Sequence, residues 1–589
     1  PISRVCETYA VTRNGNLCTS RIEGYGTDYA RETTYEYTGM GKIAKETAPD
    51  GSVKTWAYDR FGREIVSSVP WAEAGDKVTY TTYRDQTQAD PDILTQWVTL
   101  TATAAELWRA DYTYVEENHV RRVEKRTTAL GEENVRLEVK ESWLGTAPNV
   151  YARGRLKMKQ GMDGIQTHYF YEETDQYGAL YKVTAETRIA GESVPGLSSR
   201  KVTYVSGQGN NMRYEQYARL ADGAWSMTDA SSYEYDVENR WVKRTRANGR
   251  VYERMMTCCG PLWERDENGV TTSYSYNTAR QLVETIRSAV TDGETMITPE
   301  TITSYTRDAL GKITSLRRDA GPMTTVESRE YDLLGRLIRE TDILGRTTVR
   351  SYSGDGLVET VTTPAGATLI TRKSPSGTVV RRYGTGQQDI LYTVEATAEG
   401  IRTTEAVPGG EGGEPRVVTG SSTVNGFGEL VRIAAANTLN GENVRTLAYD
   451  DKGRLIREQL ADMAPTLYAY DAFGNRTRAI VALEDEPTIL NSRITDYAYV
   501  AESREDGIYR LVSITSYTSS GTPVLQKQAA LLSALSSVLA GKTVMTDPRG
   551  QDTVEWTEYG GGSVRLQKKT VPGVGSVALT RVVDGFTTA

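Results

Sequence analysis

Cysteine and histidine are scarce in this sequence of 589 residues, which holds four cysteines and two histidines. Four cysteines are too few to frame a protein of this length with disulfides. Neither His119 nor His168 has a second histidine at the spacing of metal ligands, so we expect both to be ordinary strand residues and predict no metal site. Apolar runs of about 18 residues are also missing, so we predict no membrane-spanning helix.

The four cysteines form two pairs along the chain. Cys6 and Cys18 flank a predicted turn at Asn14-Gly15. A two-residue loop at that position would not place them opposite each other. Cys258 and Cys259 are adjacent. They either form a strained vicinal disulfide or are two thiols on opposite faces of a strand, and the second alternative is favoured because cysteine is often a small buried side chain.

An excess of either charge is missing as well, because 69 basic residues face 77 acidic ones and the net charge is −8. This balance gives no electrostatic footprint for nucleic acid. Phenylalanine is rare, with 5 residues, whereas there are 36 tyrosines and 54 glycines. Tyrosine suits a sheet with one wet face, because its ring covers area while its hydroxyl reaches water or a partner. With a mean hydropathy of −0.49, the composition favours a thin β wall over a thick globule.

A short phrase recurs along the chain. It occurs twice close together, as Tyr331-Asp332-Leu333-Leu334-Gly335-Arg336 and as Asp342-Ile343-Leu344-Gly345-Arg346. The aspartate can accept hydrogen bonds from N–H groups two residues on, and the glycine can adopt a positive φ, which we predict at Gly335 and Gly474. The flanking residues are rich in β-branched and aromatic side chains. The phrase therefore predicts strand, tight turn, strand.

Further copies of the phrase follow the same pattern. Worn copies lie at 37–42, 235–240 and 307–312. A repeat of about 20 residues with two strands and two turns is typical of a stacked repeat architecture. The predicted turn residues are Tyr58, Asp59, Gly62, Arg63, Tyr331, Asp332, Gly335, Arg336, Asp342, Gly345, Arg346, Tyr449, Asp450, Gly453, Arg454, Tyr470, Asp471 and Gly474.

These motifs resemble the YD repeats of the Rhs family, whose relatives include the BC subunits of insecticidal Tc toxin complexes and the teneurins. The resemblance covers about residues 35–560. It implies an all-β fold, in which an antiparallel β-ribbon spirals into a hollow, solenoid-like shell. In bacterial members that shell often encloses a toxic C-terminal segment.

The expected organisation has three parts. Residues 1–34 are lead-in strands, 35–560 form the repeat array, degenerate at 69–150 and 481–545, and 561–589 are C-terminal strands. The chain starts without Met and ends abruptly, so we expect an internal fragment of a longer protein. The best loop candidate is 405–415. The segment Leu525–Ala540 has the composition of a helix, but the surrounding repeats favour a strand.

Several sequence features could suggest an enzyme or a metal-binding protein. The recurring aspartates stand at turn starts, which gives them a structural reason and argues against a glycosidase. The twelve-residue calcium loop with its closing glutamate is missing, and no nucleophile-elbow motif is present. The stretch Asp547-Pro548-Arg549-Gly550-Gln551 resembles the self-cleavage motif of Rhs proteins, but Gln551 stands where that motif has leucine. We predict no catalytic, cofactor-binding or metal-binding residue.

Two functional hypotheses follow from the resemblance. The first is a structural shell, secreted or delivered to the cell surface, that encloses and protects a C-terminal toxin or other cargo. The second is a cell-surface adhesion protein that binds carbohydrate through its tyrosine-rich sheet. An enzyme in its own right has no supporting motif.

Overall fold

The protein is described by a computed structural model that covers most of the chain. The described residues are 5–12, 15–23, 25, 30–71, 75–101, 103–292, 294–409, 417–437, 441–461, 463–484, 486–534, 538–559, 564–573, 577–583 and 586–588. These residues form 48 strands and no α-helix; a single 3₁₀ turn lies at Gln176–Gly178.

Strands β1–β24 are, in order, Val5–Thr12, Gly15–Glu23, Arg31–Tyr37, Ile43–Thr47, Val53–Tyr58, Glu64–Pro70, Asp76–Tyr83, Ile93–Leu100, Glu106–Glu117, Val120–Ala129, Glu132–Trp143, Leu156–Gln160, Gln166–Glu173, Tyr181–Arg188, Ser199–Val205, Asn211–Arg219, Trp225–Tyr235, Trp241–Arg246, Val251–Met256, Pro261–Arg265, Thr271–Tyr276, Leu282–Arg287, Val290–Asp292 and Thr295–Thr298.

Strands β25–β48 are, in order, Thr301–Arg307, Ile313–Ala320, Met323–Tyr331, Leu337–Thr341, Thr347–Tyr352, Val358–Thr362, Thr368–Lys373, Val379–Tyr383, Ile390–Thr397, Gly400–Val407, Val417–Val424, Leu430–Asn437, Gly441–Tyr449, Leu455–Leu460, Thr466–Tyr470, Arg476–Val481, Arg493–Arg504, Gly507–Tyr517, Pro523–Ala534, Leu539–Thr546, Asp552–Tyr559, Val564–Thr570, Val577–Val583 and Phe586–Thr588.

The strands form one long antiparallel ribbon. A single sheet contains 46 of the described strands, and each pairs with its neighbours along the chain; only β23 and β24 form a separate hairpin, so that β22 pairs directly with β25. The all-β antiparallel prediction is confirmed. Most of the segment whose composition favoured a helix is strand: β43 covers Pro523–Ala534 and pairs with β42 along its length. Ladder hydrogen bonds on both sides outweigh a weak local propensity, and residues 535–537 lie outside the described residues.

A meander of this kind has two edges, where alternate hairpin turns lie. Turns that follow odd-numbered strands, such as 332–336 between β27 and β28, share one edge, here called the YD edge. Turns that follow even-numbered strands, such as 342–346 between β28 and β29, share the opposite edge. All four Tyr-Asp copies that end in a glycine turn lie at the YD edge, because a period of two strands returns the chain to it.

The ribbon coils back on itself. Residues from the opposite edge of its first coil (β3–β22) contact residues from the YD edge of its second coil (β25–β46). Arg31 donates to the Asp355 carbonyl 324 residues later, Arg136 pairs with Glu429 after 293 residues, and Arg565 hydrogen-bonds to Asn268 across 297 residues. The offset stays near 300 residues, as expected when strand twist curls a uniform ribbon. We call this edge-to-edge contact the seam.

The hydrophobic core lies largely at the seam. Buried apolar side chains among the described residues form five small clusters of two or three members. Three of these clusters include residues of both coils: Val270 and Val290 with Leu566, Leu220 with Ala501, and Leu100 with Ile401. Because a single-layer ribbon has no second sheet to cover its faces, apolar burial concentrates where the coils meet.

Three sequence expectations need correction. The hairpin β1–β2 pairs Thr12 with Gly15, so Gly15 is a strand residue and not part of a two-residue loop; Cys18 faces Tyr9 and not Cys6, as predicted. Cys258 and Cys259 lie in the turn between β19 and β20, not on faces of a strand. His119 also lies in a turn, with φ +63°, because only two residues join β9 to β10.

Two further sequence expectations concern local structure. His168 is a strand residue of β13, as predicted. Most of the predicted loop at 405–415 lies outside the described residues.

Candidate functional site

The repeat turn is the unit from which the ribbon edge is built. At 332–336, the Asp332 carboxylate accepts hydrogen bonds from the N–H groups of Leu334 at 3.0 Å and Arg336 at 2.8 Å. The backbone closes the same turn, because the Gly335 N–H donates to the Asp332 carbonyl at 2.9 Å. Gly335 has φ +76°, a conformation that glycine adopts without strain. The phrase thus encodes a turn whose inward N–H groups are satisfied by its own first residue.

The other predicted turns have the same geometry. Their first-residue carboxylates accept two backbone N–H groups at 2.9–3.0 Å, and Gly474 has φ +78° as predicted. The remaining members are Asp59, Asp342, Asp450 and Asp471 as acceptors, with Gly62, Gly345 and Gly453 at φ +76°, +74° and +77°.

The arginine after the turn glycine clamps the turn aspartate. Arg336 Nε donates to the Asp332 Oδ2 atom at 2.7 Å, and Arg63, Arg346 and Arg454 make the equivalent contact at 2.7, 2.8 and 2.7 Å. At Asp59, burial alone would raise the pKa of the carboxyl, but the Arg63 N–H and guanidinium outweigh it and hold the pKa below its usual value. The Asp59 carboxylate is therefore charged at neutral pH.

The same arginine also reaches the next repeat. The Arg336 guanidinium lies 4.4 Å from the ring centroid of Tyr352, and Arg454 lies 5.1 Å from that of Tyr470. Arg454 donates in addition to the Asp471 carbonyl, the first residue of the next YD-edge turn, at 2.8 Å. Cation–π contacts of this kind contribute about 0.5–1 kcal/mol at exposed sites. One residue type thus ties each turn to its successor.

The tyrosine that leads the phrase reaches backward in the same way. Its hydroxyl donates to a backbone carbonyl of the preceding repeat. In each case this carbonyl belongs to the second residue after the glycine of the previous YD-edge turn. The pairs are Tyr58 with Ile43 at 3.0 Å, Tyr331 with Ile313 at 3.2 Å, Tyr449 with Leu430 at 2.8 Å and Tyr470 with Leu455 at 2.7 Å. The sequence does not reveal this ladder, because the spacing between the tyrosine and the preceding YD-edge glycine varies from 17 to 21 residues.

The two edges differ chemically. The turn at 342–346, on the opposite edge, has the aspartate and arginine of the phrase but Thr341 in place of tyrosine. Its Arg346 side chain is 62% exposed, whereas that of Arg336 is 19% exposed. The tyrosine ladder and the arginine that covers it therefore belong to the YD edge, and exposed pairs such as that of Arg346 contribute little to stability.

At the seam, a turn of the second coil enters the first. The Gly426 N–H donates to the Leu130 carbonyl at 2.6 Å. A Cβ added at Gly426 would lie 2.1 Å from the Leu107 carbonyl oxygen and 2.6 Å from the Leu130 nitrogen. Only glycine permits this approach of two backbones.

Beside this contact, Arg136 of the first coil is held by the same second-coil turn. Its side chain is 6% exposed, it donates to Glu429 at 2.6 Å, and it lies 3.8 Å from the ring centroid of Phe427.

Farther along the seam the coils part. Between them lies a cavity of about 1390 Å³, lined by residues of both coils that include Ser198, Arg246, Phe473, Tyr499 and Arg510. The two coils meet again at Ala221, whose N–H donates to the Ala501 carbonyl at 3.0 Å. The seam is thus a line of contacts that this cavity interrupts.

No group of three or more His, Cys, Asp or Glu among the described residues is placed to hold a metal ion. Burial lowers the pKa of His168, with a smaller contribution in the same direction from Arg188. The stretch Asp547–Gln551 forms an ordinary repeat turn, in which Asp547 accepts from Arg549 and Gln551 at 2.9 and 2.8 Å. The described residues contain no helix that is long and apolar enough to cross a membrane.

Comparison with known proteins identifies the repeat. The sequence profile of the RHS repeat matches residues 331–368, the segment that holds both copies of the phrase. A search of curated proteins gives no significant match. The molecule is thus a β-ribbon repeat protein. Its central segment is an RHS repeat, which confirms the resemblance to the Rhs, or YD-repeat, family.

Solved structures of Tc toxin proteins align with most of the chain. They include TcdB2-TccC3 (11% identity, TM-score 0.24, 97% of this chain and 40% of that chain) and the same protein without its hypervariable C-terminal region (11%, 0.29, 99% and 42%). A Photorhabdus luminescens Tc holotoxin pore also aligns (11%, 0.21, 96% and 40%). The chain spans about two fifths of the length of these proteins, and TM-scores this low do not establish a shared overall shape.

Proposed function

We propose that this chain is a structural wall: part of a YD-repeat shell that encloses and protects a C-terminal toxin or other cargo of a secreted or surface-delivered Rhs-like protein. The observation that carries the proposal is the seam. Three of the five buried apolar clusters join the two coils. Most of these clusters therefore stabilise the contact between the coils and not the interior of a single coil. A wall built of coiled ribbon needs that property, because coils that separated along the seam would leave an opening large enough for a protease.

The turn chemistry supports a structural role for the recurring phrase. Each part of it is engaged in the wall: the aspartate caps its turn, the arginine reaches the next repeat and the tyrosine reaches the previous one. We propose that the predicted turn residues act as these links and that the chain itself catalyses no reaction. The wall would exclude proteases by size alone, with no reactive group required.

Limited proteolysis of the full-length protein tests the proposal. We expect the C-terminal segment to resist digestion when it is attached to the ribbon and to be cut rapidly when it is produced alone. The variant Gly426→Ala, which forces the seam open, should expose the attached segment. Gly39→Ala is the matched control, because Gly39 holds the same second position of a YD-edge turn and a Cβ there meets nothing within 4 Å.

Equal digestion of the attached and the isolated segment would contradict encapsulation. Surface binding would then be the better explanation for an exposed, tyrosine-rich ribbon. If the attached segment stays protected in Gly426→Ala, encapsulation would stand, but the Gly426 contact would not be what closes the shell.

A further inference from the structure

The only adjacent cysteines of the chain stand at the tip of a shortened turn. In most YD-edge turns, three residues separate the two residues whose backbone hydrogen bond closes the hairpin. Here only Cys258 and Cys259 separate Thr257 from Gly260. The Thr257 N–H donates to the Gly260 carbonyl at 2.8 Å. The hairpin between β19 and β20 is therefore closed directly beneath the two thiols.

The base of this turn is held from outside as well. Arg240, the clamp arginine of the preceding YD-edge turn, donates to the Thr257 carbonyl at 2.8 Å. Tyr276, from the following repeat, donates to the Pro261 carbonyl at 3.1 Å. The Thr257 hydroxyl also accepts the Cys259 N–H at 3.2 Å. The backbone that carries the two thiols is thus fixed by both neighbouring repeats.

The two thiols point toward each other. Their sulfur atoms are 2.9 Å apart, although both cysteines are free thiols. Cys258 is exposed and Cys259 is half-buried. The turn lies on the YD edge of the first coil, whereas the seam follows the opposite edge of that coil. A soluble reagent can therefore reach the Cys258 thiol, which is already in contact with the Cys259 thiol.

We propose that Cys258 and Cys259 form a reversible dithiol–disulfide pair, an oxidation site that responds to low-molecular-weight disulfides. The Cys258 thiolate attacks one sulfur of the external disulfide, forms a mixed disulfide and releases one thiolate, which takes up a proton. The Cys259 thiolate then attacks the Cys258 sulfur of that mixed disulfide and releases the second thiolate, which is also protonated. The protein loses two hydrogen atoms, and the external disulfide is reduced to two thiols.

The resulting disulfide should be easy to reduce. Adjacent α-carbons across a trans peptide are about 3.8 Å apart, whereas most disulfides join α-carbons about 4.4–6.8 Å apart. Strained and exposed disulfides have more oxidising potentials and are the labile ones. The pair would therefore change between dithiol and disulfide at redox potentials between those of a reducing and an oxidising compartment. It would not act as a permanent crosslink of the fold. This inference does not depend on the proposed shell function.

The test uses the full chain equilibrated in mixtures of oxidised and reduced glutathione, quenched in acid and alkylated. Trypsin releases one peptide, residues 255–265, that holds both cysteines between Arg254 and Arg265. In oxidising buffer we expect this peptide to lack two hydrogen atoms and to carry no alkyl group, and to regain two alkylation sites after reduction. Cys6 and Cys18, on separate peptides, serve as internal controls.

Two serine variants show whether the pair reacts as a unit. Cys259→Ser should accumulate a glutathione adduct on Cys258, because the resolving thiol is gone, whereas the unmodified protein should show little of it. Cys258→Ser should react more slowly, since Cys259 is less exposed. Two alkyl groups on the 255–265 peptide in fully oxidising buffer, or stable glutathione adducts on both cysteines of the unmodified protein, would overturn the proposal.

Discussion

Replacement of Gly426 by alanine is the sharpest test of whether the coils are held together at the seam. The new methyl carbon would lie 2.1 Å from the Leu107 oxygen and 2.9 Å from the Ala129 Cβ atom. Neither neighbour is the end of a flexible side chain, so the turn must withdraw from the first coil. Withdrawal breaks the Gly426 N–H bond to the Leu130 carbonyl.

The loss of stability has two main contributions. Forced overpacking costs about 1–3 kcal/mol, and loss of a buried backbone hydrogen bond adds about 1 kcal/mol. If Glu429 also moves off the nearly buried Arg136, an uncompensated charge would raise the total further. We therefore expect Gly426→Ala to lower the free energy of unfolding by about 2–4 kcal/mol, whereas Gly39→Ala should change it by less than about 0.5 kcal/mol.

Urea unfolding followed by tryptophan fluorescence measures the difference between the two variants. Because an array of this length need not unfold in one step, amide hydrogen exchange should be followed as well. We expect faster exchange in Gly426→Ala at the turns that meet across the seam and unchanged exchange within the strands of each coil. Identical unfolding midpoints and identical exchange in the two variants would refute the conclusion that this contact holds the coils together.

Three further predictions follow from the turns and the sheet. Tyr449→Phe removes the 2.8 Å hydrogen bond to the Leu430 carbonyl and should lower the free energy of unfolding in urea by about 0.5–1.5 kcal/mol. An unchanged free energy of unfolding would show that the tyrosine ladder does not stabilise the ribbon. Gly335→Val, at φ +76°, should cost about 1–3 kcal/mol, and an unchanged thermal midpoint would contradict the turn geometry. Burial, reinforced by neighbouring carboxylates, raises the pKa of Tyr204 and Tyr214 from 10.0 to about 12; because the folded state holds these protons more tightly, stability should be full below pH 10 and fall as pH rises toward 12, as denaturant titrations at stepped pH would show.

Local structure could be predicted from the sequence because the turn phrase carries its own chemistry. Aspartate, glycine and arginine at fixed positions specify a turn through contacts within five residues, as in Asp332–Arg336. The segment Pro523–Ala534 shows the limit of that local information: its composition favours a helix, and only pairing with β42 and β44 decides for a strand. The Cys258-Cys259 turn is a second case, since a one-residue shortening of the loop is not visible from residue type alone.

The seam could not be predicted, because nothing in a single repeat specifies which repeat it will meet about 300 residues later. Gly426 occupies a turn position where residue type is otherwise unconstrained, and in the sequence it is one glycine among 54. Its partner Leu130 lies in a stretch without the repeat phrase. The offset is set by the curvature that many strand pairs accumulate, so a small change in twist per strand would bring a different turn to Leu130. The contacts that hold the coils together therefore use positions that the repeat leaves unspecified, and Gly426 and Arg136 identify the seam only once the ribbon is coiled.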